Sequence, residues 1–315
     1  MGVECSPTPP SDSTIGRVVR LVSPEILSKI VTDFLGCLPR QSVGMLPNLY
    51  ALDGKARKAA LTDTGKTEID LSLYDVATKV LIDKFVVGSK EGEAPVARDL
   101  VEKTAAGLAP GYFSADAGIG CREFADVVVR NGHDFLLVLK GNAGHVFEEM
   151  KSLPWNGTNA HKSAQRGHGR FETRCTEIFR DEPDQISKFI PSAKHYPADV
   201  IFGRILRHRT NLKTAKSSDE AAYFIASERH GTLTSEFADA LVRGHWCIEN
   251  ELHGHRDVQL GEDDLPEMSS HASRVIGSIL DLHSWLASGC GRGICYFIQR
   301  LRADPLSLIR RWQEV

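Results

Sequence analysis

No apolar run in the sequence approaches twenty residues, which excludes a membrane-spanning helix. It has no CxxC pair either. The seven cysteines, Cys5 to Cys295, are odd in number and scattered, which suggests neither a zinc ribbon nor a disulfide framework. No charged leader followed by an apolar stretch opens the chain, so no secretory signal is read, and these absences predict a reducing cytoplasm. Internal repeats and low-complexity tracts are missing too. A strong charge of one sign is also lacking: 38 Lys and Arg against 41 Asp and Glu leave a net −3. Taken alone, that balance argues against a nucleic-acid partner. What remains is an ordinary globular composition. The 315 residues are 42% hydrophobic and 25% charged, with mean hydropathy −0.21. Such a chain is long enough for two domains, or one elaborated domain, with a full core.

Residues 1–15, rich in Pro and Ser, read as a disordered tail. Ser23-Pro24 then opens a short helix, with Ile26, Leu27, Ile30, Val31 and Leu35 as its apolar stripe. From Leu46 the pattern is three strands, helix, strand, helix, strand. The strands fall at residues 48–54, 68–74, 79–87, 112–116 and 135–139, and the first three suit an antiparallel meander. Residues 152–240 hold the strand-like runs Phe171–Phe179, Val200–Leu206 and Ala222–Ile225. Helices are expected at about 235–253, 267–288 and 294–312, the last broken at Asp304-Pro305.

Two strands end in an aspartate, at Asp53 and Asp116. Carboxylates on neighbouring strand ends can converge on a hard cation such as Mg²⁺ or Mn²⁺, although Asp also commonly begins turns after strands. On the helix that follows residue 235, Arg243, Trp246, Glu249, Asn250 and His253 fall on one face at helical spacing. That stripe offers a metal-binding carboxylate flanked by a cation and an aromatic plane, groups that suit phosphate and a splayed base. The plainer alternative is a solvated helix face with one half-buried tryptophan. His253-Gly254-His255 has no third ligand at zinc spacing, and no strand precedes the glycines at 289, 291 and 293 as a nucleotide loop requires.

Seven segments occur in a telling order: Leu52-Asp53-Gly54-Lys55, Ser114-Ala115-Asp116-Ala117, Leu137-Val138-Leu139-Lys140-Gly141-Asn142, Gly167-His168-Gly169-Arg170-Phe171-Glu172, Arg243-Gly244-His245-Trp246-Cys247-Ile248-Glu249-Asn250, Asp257-Val258 and Gly261-Glu262-Asp263. Together they resemble the DDE transposases of bacterial insertion sequences, in the subgroup that includes the H-repeat-associated proteins. The resemblance covers about residues 46–285. It implies an α/β fold: an RNase H-like mixed sheet flanked by helices, with a β-rich insertion before the Glu-bearing helix. The matching divisions are a tail and short helix at 1–45, the first part of the core at 46–151, the insertion at 152–234, and the Glu-bearing and C-terminal helices at 235–315.

By position, the resemblance makes Asp53, Asp116 and Glu249 the catalytic, metal-binding carboxylates, holding two Mg²⁺ or Mn²⁺ ions. It implies cleavage of phosphodiester bonds at insertion-sequence ends, transfer into target DNA, and a homodimer on paired ends at the nucleoid. Lys140, Asn142, His168, Arg170, Arg174, Arg243, Trp246, His253 and Arg256 are the candidate contacts to double-stranded DNA. The sequence departs from the family at several points. A Tyr–Arg–Glu–Lys signature is matched here by Val242, His245, Glu249 and Arg256, with Gly254 where a second Trp is usual and Pro266 where a basic residue is common. Only 52 residues precede Asp53, so the alternative expectation is a truncated or catalytically silent DNA-binding derivative.

The charge distribution favours DNA even though the total does not. Residues 151–215 hold twelve Lys and Arg against six acids, a local +6, and residues 290–315 add +3. A basic region beside an acidic, metal-seeking core suits a DNA-cutting enzyme.

Overall fold

The computed structural model describes residues 10–37, 48–61, 67–88, 92–116, 118–139, 144–157, 159–167, 169–180, 188–197, 200–288 and 294–304. The chain divides into two compact units, one built from residues 39–55 and 69–250 and one from residues 1–38, 56–68 and 251–315.

The first unit is built on a mixed sheet. Its strands are β1 (Asn48–Ala56), β3 (Ile69–Asp75), β4 (Val80–Val87), β5 (Gly111–Asp116), β6 (Asp134–Leu139), β7 (His161–Gly167), β8 (Arg170–Phe179), β9 (Val200–Asn211) and β10 (Ser217–Ser227), in the order β4-β3-β1-β5-β6-β10-β9-β8-β7. β1, β5 and β6 run parallel, while β3–β4 and the β6-β10-β9-β8-β7 pairings are antiparallel. The parallel centre explains its sequence. Leu49 to Leu52 and all of Asp134 to Leu139 are buried, as strands covered on both faces must be. Strands β7 to β10, within the segment 152–234 expected as a β-rich insertion, extend this same sheet, because β10 bonds directly onto β6.

Alternation divides the faces. Tyr50, Leu52, Phe113, Phe135 and Leu137 pack with residues of helices α3 (Glu93–Thr104) and α4 (Arg122–Arg130) in the main core. α5 (His145–Lys151) adds Val146 and Met150 to that core. Leu49, Ala51 and Asp53, with Tyr112, Ser114 and Asp116, belong to the opposite face, which α6 (Ser235–Cys247) covers.

In the second unit, helices α1 (Asp12–Leu21), α2 (Pro24–Gly36), α7 (Ser270–Ser288) and α8 (Ile294–Ala303) accompany a short parallel ladder of β2 (Ala60–Leu61) and β11 (Met268–Ser269). The sequence placed residues 12–15 in a disordered tail, but α1 begins at Asp12. Ser11 Oγ accepts from the Thr14 N–H, and Asp12 sits in the first turn, where an acid favours a helix. α2 starts where expected, on the Ser23 cap, but its buried face is Val31, Thr32 and Leu35. Ile26 and Ile30, read as part of the stripe, are 64% and 58% exposed.

Two arginines, Arg57 and Arg256, are fully buried in this unit. Glu262 takes Arg256 in a two-pronged pair at 2.7 and 2.6 Å, and Asp281 accepts from it at 2.9 Å. Gly277 makes room for both guanidiniums, since a Cβ there would lie 3.0 Å from Arg256 Nη2 and 3.3 Å from Arg57 Nη2. Among the described residues, no helix is long and apolar enough to cross a membrane.

Candidate active site and arginine-lined cleft

Strand register brings the two aspartates together. Ala51 of β1 lies beside Ser114 of β5, and Asp53 and Asp116 each lie two residues further along these parallel strands. Both aspartates therefore lie just past the paired stretch, on the same face of two adjacent strands. Both side chains are half-buried. Asp116 also performs the plainer task of a turn former: its Oδ1 accepts from the N–H groups of Gly118 (2.8 Å) and Ile119 (3.3 Å).

α6 is fixed over this face by four anchors. Thr234 caps its start, accepting from the Phe237 N–H at 3.1 Å. Phe237 meets Tyr112 edge-on at 5.8 Å. His245, buried, shares a 3.0 Å hydrogen bond between its Nδ1 and Ser114 Oγ. Asp239 accepts from Thr176 of β8 and Ser163 of β7. Gly244 permits the closest approach, since a Cβ there would fall 2.4 Å from Leu49 Cδ2. The helix axis is thereby set at the level of the two aspartates.

Past Cys247 the helix changes form. Ile248–His253 is π-helical, where an unbroken α-helix was expected. A π-turn widens the spacing from four residues to five, and such turns are frequent at functional sites. Glu249 lies in this segment and is exposed. It lines a cleft of about 650 Å³ together with Arg243, Trp246, Asn250, Phe147, Val138 and an array of arginines from the extended sheet. Val138 is in turn the register partner of Asp116. Among the described residues, no group of three or more His, Cys, Asp and Glu side chains is gathered in a form that could hold a metal ion.

The predicted DNA contacts separate into three sets. Arg170, Arg174, Arg243 and Trp246 all line the cleft. His253 and Arg256 do not. His253 is buried at 7% exposure, and Arg256, at 0%, has no surface with which to meet DNA. The widened turns after Cys247 end the face that a 3.6-residue period projected onto His253. Lys140, Asn142 and His168 lie outside the described residues.

The sequence reading missed Arg207 and Arg209, which line the same cleft. The signal was present: in Arg207-His208-Arg209 the two arginines alternate onto one face of a strand. Arg207 lies directly opposite Arg174, and Arg209 opposite Glu172. Glu172 accepts from Arg174 at 2.5 Å and Arg209 at 2.6 Å. Burial pushes the Glu172 carboxyl up, but the hydrogen bonds and charges of those two arginines outweigh it and hold it below its ordinary range. The guanidinium carbons of Arg207 and Arg174 are 4.2 and 5.3 Å from the centroid of the Trp246 ring.

No family model matches the chain. It is 25% identical over 282 residues to the Escherichia coli K12 protein named "Putative protein YbfL", and equally to the "H repeat-associated putative transposase YhhI" of that organism. Each match covers 86% of this chain and 71% of the relative. The "H repeat-associated putative transposase YbfD" is 25% identical over 190 residues, 57% of this chain and 72% of that protein. The chain is therefore a homologue of the H repeat-associated transposase group, which supports a transposase role at the level of the family.

Proposed function

We propose that the chain is a DNA transposase that cleaves phosphodiester bonds at insertion-sequence ends and joins the freed ends to target DNA, with Asp53, Asp116 and Glu249 as its catalytic carboxylates. One observation carries the reading. The two aspartates lie on adjacent parallel strands, each two residues past the paired Ala51 and Ser114, on the face covered by the helix that continues to Glu249. The strand order β4-β3-β1-β5-β6, with its last three strands parallel, supports an RNase H-like core within the larger sheet.

Three carboxylates are the donor chemistry that a hard divalent cation takes. Mg²⁺ or Mn²⁺ held by Asp53, Asp116 and Glu249 would supply charge stabilisation at phosphorus and activate the attacking oxygen. The remaining work belongs to the chain. Its arginines hold the backbone phosphates of double-stranded DNA beside Glu249, and Arg243, whose Nη2 donates to Gln165 Oε1 at 2.6 Å, is fixed at the same cleft. Water attacks the scissile phosphorus and the bond to the 3′ oxygen breaks, leaving a 3′-OH on the element and a 5′-phosphate on the flank. That hydroxyl then attacks a target phosphodiester and displaces another 3′ oxygen. One bond forms for each that breaks, so no energy source or covalent enzyme intermediate is needed. A homodimer holding paired ends at the nucleoid belongs to this reading.

One observation favours a second reading, a DNA-binding derivative without chemistry. His245 occupies the place of the signature arginine and is buried against Ser114, away from any phosphate. The two readings separate in one assay. End-labelled duplexes taken from DNA flanking the coding sequence are incubated with the full chain and Mg²⁺. Nicks bearing 3′-OH ends, followed by joined products, are expected of the transposase. Binding with neither nicks nor joined products would leave the second reading.

A further inference from the structure

The arginines of the extended sheet are arranged at a cost. Arg174 and Arg207 face each other directly across the β8–β9 pair. Like charges so placed destabilise a strand pair. Glu172 is shared by Arg174 and Arg209, Glu220 by Arg207 (2.7 Å) and Arg209 (3.3 Å), and Asp239 lies 3.9 Å from Arg174 Nη1. Arg207 Nε and Arg174 Nη1 are buried without a hydrogen-bond partner among the described residues. In all, five arginines and two glutamates line the cleft. The lining of the cleft is therefore positive, with its arginines crowded and partly desolvated.

The position of Trp246 supplies the physical account. Its ring presents a negative π-face, and a guanidinium within about 6 Å of the centroid is attracted to it. Arg207 and Arg174 both lie inside that distance. The ring offsets part of their mutual repulsion and sets where their charges stand. With guanidiniums at 4.2 and 5.3 Å, the ring is already engaged with two cations.

We propose that Arg170, Arg174, Arg207 and Arg209 form a phosphate-binding subsite for the DNA backbone, in which Trp246 is a positioning residue carrying two of the guanidiniums and not a platform for a base. The proposal rests on the transposase reading only for the identity of the anion. It goes further by assigning Arg207 and Arg209 and by reversing the role expected of the tryptophan.

The test is the salt dependence of binding to a fluorescein-labelled duplex, measured by anisotropy in EDTA so that no cleavage intervenes. Each lost phosphate contact lowers the slope of log K against log salt by about one. Arg207→Gln and Trp246→Leu are each expected to lower it by about that amount, whereas Trp246→Phe, which keeps an aromatic face, retains it. Arg170→Gln, at an exposed position, is expected to do the same as Arg207→Gln and serves where the buried variant does not fold. Wild-type slopes in Arg207→Gln and Arg170→Gln overturn the subsite. A Trp246→Leu variant that keeps the wild-type slope but loses affinity for single-stranded DNA overturns the positioning role in favour of stacking. A wild-type chain that binds with the expected slope yet never nicks would sink the transposase reading and leave the subsite standing.

Discussion

Replacing Asp53 by Asn is expected to lower Mg²⁺-dependent strand cleavage by at least about a hundredfold, the scale of losing one preorganised charge-stabilising group. Affinity for duplex DNA should change little, because the backbone contacts assigned here come from arginines on β8, β9 and α6. Asn matches the shape of Asp, so the half-buried position beside Asp116 stays filled and only the charge is removed. The same logic makes Asp116→Asn the informative change at the second strand. Its amide oxygen still accepts the Gly118 and Ile119 N–H groups, so the turn survives while the metal-seeking charge does not. An alanine there would remove both and confuse the result. Cleavage by Asp53→Asn at the wild-type rate, with equal binding and an unchanged melting temperature, would refute the catalytic assignment.

Arg256→Ala is expected to act on stability. Breaking a buried ion pair by removing one partner typically costs about 3–5 kcal/mol, because the charge left behind has no compensation. Here two buried carboxylates, Glu262 and Asp281, would lose Arg256, and a void would open against Gly277. Urea denaturation should show the midpoint fall. Arg243→Ala, on the cleft, should leave the midpoint nearly in place and weaken DNA binding instead. A stable Arg256→Ala protein with impaired DNA binding would contradict the structural role and restore the one read from the sequence.

These two residues show what the sequence disclosed and what it hid. Strand and helix order from β1 to β6 was legible because apolar runs and alternation follow from burial on one or two faces. Asp116 ends β5 as the sequence suggested, but β1 runs on through Gly54 to Ala56, so Asp53 lies within its strand and Gly54 is not a turn residue. β7 was not legible, since His161–Gly167 is a polar strand at the end of the sheet with no apolar alternation to mark it. α1 was missed because it buries none of its residues, so its capping signals stood without a stripe to confirm them. The largest misreading concerned the face of the Glu-bearing helix. A period of 3.6 placed His253 in line with Glu249, whereas the segment is π-helical and His253 is buried where Glu249 is exposed. Backbone form of that kind has no composition signature. Likewise, nothing local in the sequence says that Arg256 is enclosed, since its partners lie six and twenty-five residues away. Arg207 and Arg209 escaped notice for a different reason: strand pairing, which sequence alone does not disclose, sets them beside Arg174 and Glu172.

The central claim is that three carboxylates from two neighbouring strands and one helix share divalent metal. Crystals of the full chain grown with Mn²⁺ test it through the anomalous signal of the bound ion. The account predicts manganese within about 2.0–2.6 Å of carboxylate oxygens from Asp53, Asp116 and Glu249. Manganese held by other side chains, or none at these three under conditions in which the protein nicks DNA, would contradict it.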